Sequence, residues 1–171
     1  MVGNGLKMFA QRALGKDNQA LRDDVLRAMK ERYRDKCFEC SRLYDGVFEV
    51  VNNLRADGIR LAVLTNKDQD DAERIVGHFF GTDTFEYVIG VGAGIGCKPD
   101  TGGAMKIVQS MGLFCEDCLV VGDSSMDIQM ASAAGIRSVG VSWGFRRREE
   151  LVNAGADIII GRPVEILGLV A

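Results

Sequence analysis

Cys118-Leu119-Val120-Val121-Gly122-Asp123-Ser124-Ser125-Met126-Asp127 reads as a short buried strand, Cys118 to Val121, that gives way to a glycine, two carboxylates and a helix from about Ser125. Gly135 is placed to end that helix at Ala134. Two hard carboxylates four residues apart, at the mouth of a sheet, suit magnesium with retained waters. A plainer alternative is that Asp123 caps the helix. The strand–Gly-Asp-Ser-x-x-Asp–helix arrangement is more specific than a cap requires, so Asp123 and Asp127 are read as the edge of a metal site that handles phosphate.

Outward from this stretch, short apolar runs alternate with amphipathic helices. Val47, Val50, Val51 and Leu54 fall at helical spacing, with Gly58 beyond them as a stop. Arg60–Leu64 predicts a strand, and Ala72, Ile75, Val76, Phe79 and Phe80 form the next helical stripe. Tyr87–Ile89 is a strand; Ala104, Ile107, Val108 and Met111 make a helix stopped by Gly112. Downstream, Ser138–Ser142 and Asp157–Ile160 are strands flanking a helix near Arg147–Ala154. This alternation predicts an α/β fold built on a Rossmann-like parallel sheet, whose ligands gather at the carboxyl ends of its strands. Residues 1–43 differ, because Met8–Leu14 and Leu21–Tyr33 look helical, charges are dense and strands are absent. They predict a partial helical cap, with residues 44–171 forming the α/β core.

Two further strand ends carry polar groups. In Leu64-Thr65-Asn66-Lys67 a hydroxyl and the free backbone N–H groups after a strand can hold phosphate oxygens, or Thr65 or Asn66 can simply cap a helix. In Cys97-Lys98-Pro99-Asp100 the proline biases Lys98 away from helical geometry. Its ammonium is then free to neutralise developing phosphoryl charge, unless it is an ordinary surface lysine. Gly90-Val91-Gly92-Ala93-Gly94-Ile95-Gly96 follows a strand but leads into Lys98-Pro99 rather than opening a helix. It reads as a long or phosphate-facing loop and not as a nicotinamide site. His78, the single histidine, lies in the Ile75–Phe80 stripe and is assigned no catalytic role.

Composition sets outer bounds on function. The 171 residues suffice for one domain with a real core, and 47% hydrophobic and 26% charged residues suit a folded chain. A net charge of −3 without a long basic run argues against nucleic acid, since Arg146-Arg147-Arg148 runs straight into Glu149-Glu150. No apolar stretch approaches the roughly 20 residues that cross a bilayer, and the opening residues lack a signal-peptide pattern. A cytoplasmic location is the default expectation. The pairs Cys37-x-x-Cys40 and Cys115-x-x-Cys118 lie too far apart for a compact zinc ribbon, so reduced thiols are expected.

Taken together and in order, Thr65-Asn66-Lys67, Lys98-Pro99-Asp100 and Gly122-Asp123-Ser124-x-x-Asp127 resemble the motifs of the haloacid dehalogenase (HAD) superfamily. Tyr44-Asp45-Gly46-Val47, Ala133-Ala134-Gly135 and Val2-Gly3-Asn4-Gly5 make the resemblance strongest to its phosphoglycolate phosphatase group. That resemblance implies a Mg²⁺-dependent phosphomonoester hydrolase acting on small phosphorylated metabolites, with 2-phosphoglycolate as the expected substrate. Thr65 and Asn66 would bind the phosphoryl group and Lys98 would stabilise its charge. Asp123 would ligate Mg²⁺, Asp127 would support the metal's surroundings, and the helices before residue 44 would close over the substrate. A pyrophosphatase or sugar-phosphate phosphatase is the neighbouring enzyme class.

The family's first motif, Asp-x-Asp-Gly-Thr, is absent from the chain; Asp45-Gly46 and Asp83-Thr84 are the nearest fragments. By resemblance that motif supplies the nucleophile that becomes an aspartyl-phosphate and the general acid/base, on the central strand of the sheet. The chain is therefore expected to begin inside the cap and to be inactive alone, because loss of a covalent nucleophile costs on the order of a million-fold in rate. The sheet should lack its first, central strand and the chain should self-associate through the gap. A non-catalytic phosphate-binding paralogue, or one half of a split protein, is the alternative to an enzyme.

Overall fold

The computed structural model describes residues 10–11, 13–14, 16–92 and 94–170. A 3₁₀ segment, Lys16–Leu21, leads into helix α1 (Arg22–Cys40). The core then runs α2 (Val47–Ala56), β1 (Ala62–Asp68), α3 (Gln69–Phe80), β2 (Tyr87–Val91), α4 (Gly102–Met111), β3 (Leu119–Gly122), α5 (Ser125–Ala134), β4 (Arg137–Val141), α6 (Arg148–Asn153) and β5 (Ile158–Ile160). Strands and helices alternate as the periodicity predicts, and every strand pairing is parallel. Among the described residues no helix is long and apolar enough to cross a membrane.

Boundaries shift where side-chain periodicity is blind to backbone pairing. β1 begins at Ala62 rather than Arg60 and runs to Asp68, with an irregularity in its register between Leu64 and Asp68. Thr65, Asn66 and Lys67 thus lie within the strand's distorted end, not in a loop after it. α1 extends to Cys40, seven residues beyond the predicted Tyr33. Of the predicted Met8–Leu14 helix, Ala10, Gln11, Ala13 and Leu14 are helical; its remaining residues, and Val2-Gly3-Asn4-Gly5, lie outside the described residues. The glycine-rich stretch enters β2 with Gly90 and Val91 and then makes a tight reversal in which Ile95 N–H donates to Gly92 O at 2.9 Å. It opens no helix. A 3₁₀ segment at Pro163–Leu169 packs on α2, and the helical spacing of the sequence does not announce it.

The sheet is interrupted. β1 pairs with β2, β3 with β4 and β4 with β5, while β1 and β3 are not hydrogen-bonded to each other. The break falls where the first, central strand is expected. Its effect on burial is direct. β4, paired on both sides, buries Ser138, Val139, Gly140 and Val141, whereas neither β1 nor β3 contains a buried residue. Val121, in the middle of β3, is 43% exposed.

Packing across the break comes from helices. On one face Ala104 and Val108 of α4 cluster with Met130 of α5 and Ile136, and both Leu64 of β1 and Val120 of β3 rest against them. A second cluster, Val139, Val141 and Ile160, holds β4 to β5 with Trp143 and Ile166 alongside. Each such buried aliphatic side chain contributes about 1.5–3 kcal/mol. At the N-terminal end of this three-stranded unit, Asp157 accepts hydrogen bonds from the Ser138 hydroxyl (2.6 Å) and Ser138 N–H (2.8 Å). These donors hold its carboxyl below the usual range.

Two consequences can be measured. Because the half-sheets share helices but no strand ladder, heat should melt this chain in a broad transition whose calorimetric enthalpy exceeds the van't Hoff value. A sharp two-state melt of a monomer near the size-scaled enthalpy of about 120 kcal/mol would contradict this. Since the pKa of Asp157 is lowered on folding, its contribution is fully present above the ordinary carboxylate value near 4 and is lost as pH falls through the lowered one. Ser138→Ala should therefore flatten the drop in Tm between about pH 5 and pH 3.

Candidate active site

The C-terminal ends of β1 and β3 meet at one ammonium group. Lys98, in the loop after β2, donates from Nζ to the carbonyl of Leu64 at 2.8 Å and to Asp127 Oδ1 at 2.5 Å. Leu64 lies in β1 and Asp127 in the first turn of α5, just beyond β3, so this side chain ties the two half-sheets at their mouths. Its side chain is 16% exposed and that of Asp127 is 8% exposed. A pair this buried is strongly destabilised when one partner is removed, because the remaining charge is left without compensation.

Asn66 fixes where the lysine stands. Its side-chain oxygen accepts the Lys98 N–H at 2.7 Å, and its Nδ2 donates to the Lys98 carbonyl at 3.2 Å. The amide thereby grips the main chain on both sides of the lysine, next to a cis Lys98–Pro99 peptide. The family resemblance implies phosphate contact for Asn66; in the structure its amide is bonded to the Lys98 main chain. Thr65 sits one residue earlier, its hydroxyl oxygen accepting the Lys67 N–H at 3.2 Å.

The two aspartates have different surroundings. Asp127 turns back on Ser124, the N-cap of α5, and its Oδ2 accepts from Ser124 N–H (3.1 Å) and from the Ser124 hydroxyl (2.6 Å). Both of its oxygens are thus engaged by protein donors. Asp123 does not cap the helix. Its Oδ2 accepts the Phe145 N–H at 2.8 Å, from the loop after β4, and Oδ1 accepts no hydrogen bond among the described residues. Two glycines permit this geometry. A Cβ on Gly122 would overlap Asp127, and one on Gly144 would overlap Asp123.

Behind this edge, Ser125 donates to Glu150 through its hydroxyl (2.8 Å) and its N–H (3.3 Å), which holds the Glu150 carboxyl below its ordinary value. Sequence reading missed both Glu150 and the Gly144–Phe145 turn. The pair Trp143-Gly144 after a strand was the one available signal for the turn. On the cap side, Tyr33 of α1 lies against Lys67, with Nζ to hydroxyl at 2.7 Å, and Lys30 pairs with Asp68 at 2.5 Å. His78 stacks on Phe38 of α1 with ring centroids 4.4 Å apart, a packing contact.

The donor set suits one share of a magnesium shell. Asp123 offers a hard carboxylate oxygen, and magnesium commonly takes one or two carboxylates together with waters and substrate phosphate. Among the described residues there is no cluster of three or more histidine, cysteine or acidic side chains that could hold a metal. The remaining ligands must therefore come from water, from substrate or from other residues.

An interrupted parallel sheet thus carries a lysine and two aspartates at its strand ends, and comparison with known proteins gives its class. The chain belongs to the haloacid dehalogenase-like hydrolases, whose family model matches residues 1–141. It is 31% identical over 173 residues to a phosphoglycolate phosphatase of Pectobacterium atrosepticum, covering 99% of this chain and 74% of that protein. A phosphoglycolate phosphatase of Colwellia psychrerythraea is 33% identical over 162 residues, with 90% and 71% covered. Among solved structures, a protein described as a predicted phosphoglycolate phosphatase from Haemophilus somnus superposes with a TM-score of 0.90 at 26% identity. That match covers 99% of this chain and 79% of the other. The chain is thus a HAD-family hydrolase with phosphoglycolate phosphatase-like relatives, and it spans about three quarters of their length.

The ion pair makes a quantitative prediction. Lys98→Met and Asp127→Asn should each lower unfolding stability by about 3 kcal/mol. In a double-mutant cycle by denaturant titration the double variant should lose clearly less than the sum. Additive losses would show that the pair does not couple the half-sheets.

Proposed function

We propose that this chain carries the phosphate- and metal-positioning part of a Mg²⁺-dependent phosphomonoester hydrolase of the phosphoglycolate phosphatase type. The observation that carries the reading is the Lys98 ammonium, gripped through its main chain by Asn66 and held between Leu64 O and Asp127 beside Asp123. Relatives named phosphoglycolate phosphatase support the substrate class, a small phosphorylated acid.

In this reading Lys98 provides a fixed positive charge where phosphoryl oxygens gain negative charge, so little reorganisation is needed during transfer. The Thr65 hydroxyl can rotate to donate to a phosphoryl oxygen while still accepting from Lys67 N–H. Asp127 keeps Lys98 oriented, and Phe145 N–H keeps the Asp123 carboxylate turned so that one oxygen remains for Mg²⁺. When bound, the metal supplies Lewis-acid neutralisation of phosphate charge. Helix α1 belongs to the cap in this reading; through Tyr33 and Lys30 it sits on the distorted end of β1.

The attacking carboxylate of the family's first motif is not among these 171 residues. Turnover through an aspartyl-phosphate therefore belongs to a form that includes that motif, and the chain by itself should release phosphate negligibly. The test is phosphate release from 2-phosphoglycolate with and without Mg²⁺. This chain should show background rates, and a version extended upstream by an Asp-x-Asp-Gly-Thr strand should be active only with the metal. In that extended version Lys98→Met should cost at least about a hundredfold in kcat, the usual scale for losing a transition-state charge partner. Failure of the extended form on every phosphomonoester tried would overturn the reading.

A further inference from the structure

Charged side chains crowd the place where α1 crosses the end of β1 and the start of α3, and most of the cations there have an acid as partner. Lys30 pairs with Asp68 at 2.5 Å, Arg34 with Asp70 at 3.6 Å and Arg74 with Asp71 at 3.8 Å. Lys67 is different. Its ammonium donates to the Tyr33 hydroxyl oxygen at 2.7 Å and stands 5.0 Å from the centroid of the same ring. No carboxylate pairs with it among the described residues. An ammonium carries three donors, so Lys67, which is exposed, retains donors for a ligand. The other cations would have to leave an ion pair to do the same.

The same lysine belongs to the strand end that would hold phosphate. Its main-chain N–H donates to Thr65 Oγ1 at 3.2 Å, and Asn66 between them grips the Lys98 main chain. A phosphoryl group on the Thr65 hydroxyl would thus lie beside the Lys67 main chain, from which the lysine side chain leads to α1. Residues two apart on a strand are separated by about 6.6 Å. In a phosphorylated two-carbon acid, three single bonds of about 1.5 Å join phosphorus to the carboxyl carbon, which keeps its anionic ends within about 5 Å. An acid of that length, anchored at Thr65 and Lys98, brings its carboxylate within reach of an ammonium on a flexible four-carbon stem.

We propose that Lys67 is the specificity-determining cation of this site: it takes the carboxylate of a short phosphorylated acid, with the Tyr33 hydroxyl alongside as a second donor, while Thr65 and Lys98 hold the phosphoryl end. The inference rests on the phosphatase reading above and adds the group that tells phosphorylated acids from phosphorylated alcohols. An acid gains a charge-assisted hydrogen bond at Lys67. An alcohol ester leaves Lys67 on Tyr33 and gains nothing there.

The test is calorimetric titration of the purified chain, in Mg²⁺ at fixed ionic strength, with 2-phosphoglycolate and with ethyl phosphate. The two share a phosphoryl end, and only the first has a carboxylate. The chain should bind 2-phosphoglycolate at least about tenfold more tightly, the scale of one charge-assisted hydrogen bond. Lys67→Met should bring the two affinities to within about twofold of each other by weakening 2-phosphoglycolate. Lys67→Arg keeps the charge and should keep most of the preference. Tyr33→Phe keeps the ring under the ammonium but loses the hydroxyl, and should lower the preference by about threefold.

The outcomes separate this inference from the reading beneath it. Equal affinity of the unaltered chain for both ligands would overturn the role of Lys67 and leave the phosphate site standing. Binding of neither ligand would overturn the phosphate site and the inference with it. If Lys67→Met weakens both ligands alike, or leaves the preference intact, Lys67 only fastens α1 to the core and the proposal fails. It fails too if Lys67→Arg loses the preference as fully as Lys67→Met, since charge is then not what the site uses.

Discussion

The Lys98–Asp127 ion pair is the constraint on which the rest of the structure turns. Among the described residues no strand lies between β1 and β3, and the two half-sheets are held by an apolar seam of α4 and α5 on one face and by this ammonium at their C-terminal ends. Hydrophobic contact is non-directional and leaves sliding and twist poorly defined. The lysine adds direction, because its ammonium donates to fixed partners in Leu64 O and Asp127. The same group that positions charge at the candidate active site therefore sets how the halves of the sheet face each other.

This double use explains the supporting contacts around the site. Asn66 binds the Lys98 main chain through both its side-chain oxygen and its Nδ2, Ser124 occupies the second oxygen of Asp127, and Phe145 N–H holds Asp123. Each contact removes a rotamer or backbone freedom from a charged group, so that geometry precedes ligand. Gly122 and Gly144 allow this crowding, since either Cβ would occupy the space of a carboxylate. The exposure of Val121 beside this ordered edge shows the other side of the arrangement: the polar mouth is built while the sheet below it is open.

Much of this was legible in the sequence. Helical stripes at Val50–Leu54 and Val108–Met111, and short apolar runs at Val88–Ile89 and Val120–Val121, placed the core elements to within a few residues. Thr65–Asn66 and the Lys98 loop were recognised as strand ends, although β1 continues through Asn66 because backbone pairing, not side-chain pattern, decides where a strand stops. The 3₁₀ segment at Pro163–Leu169 had no periodic signal to read. α1 outran its predicted end because its last turns are held by Phe38 against His78, a tertiary contact.

The sequence by itself determined the parallel α/β order, the family and the identity of the charged groups at the strand ends. All of these depend on local periodicity and on motif order along the chain. The tertiary structure alone decided which groups touch. Asn66 holds Lys98 across 32 residues, Lys98 reaches Leu64 across 34 and Asp127 across 29. Contacts at such separations are chosen by how helices pack on the sheet and by which buried polar atoms must find partners. The sequence supplied two aspartates four residues apart, and folding made Asp127 a partner of lysine and Asp123 an acceptor for Phe145 N–H.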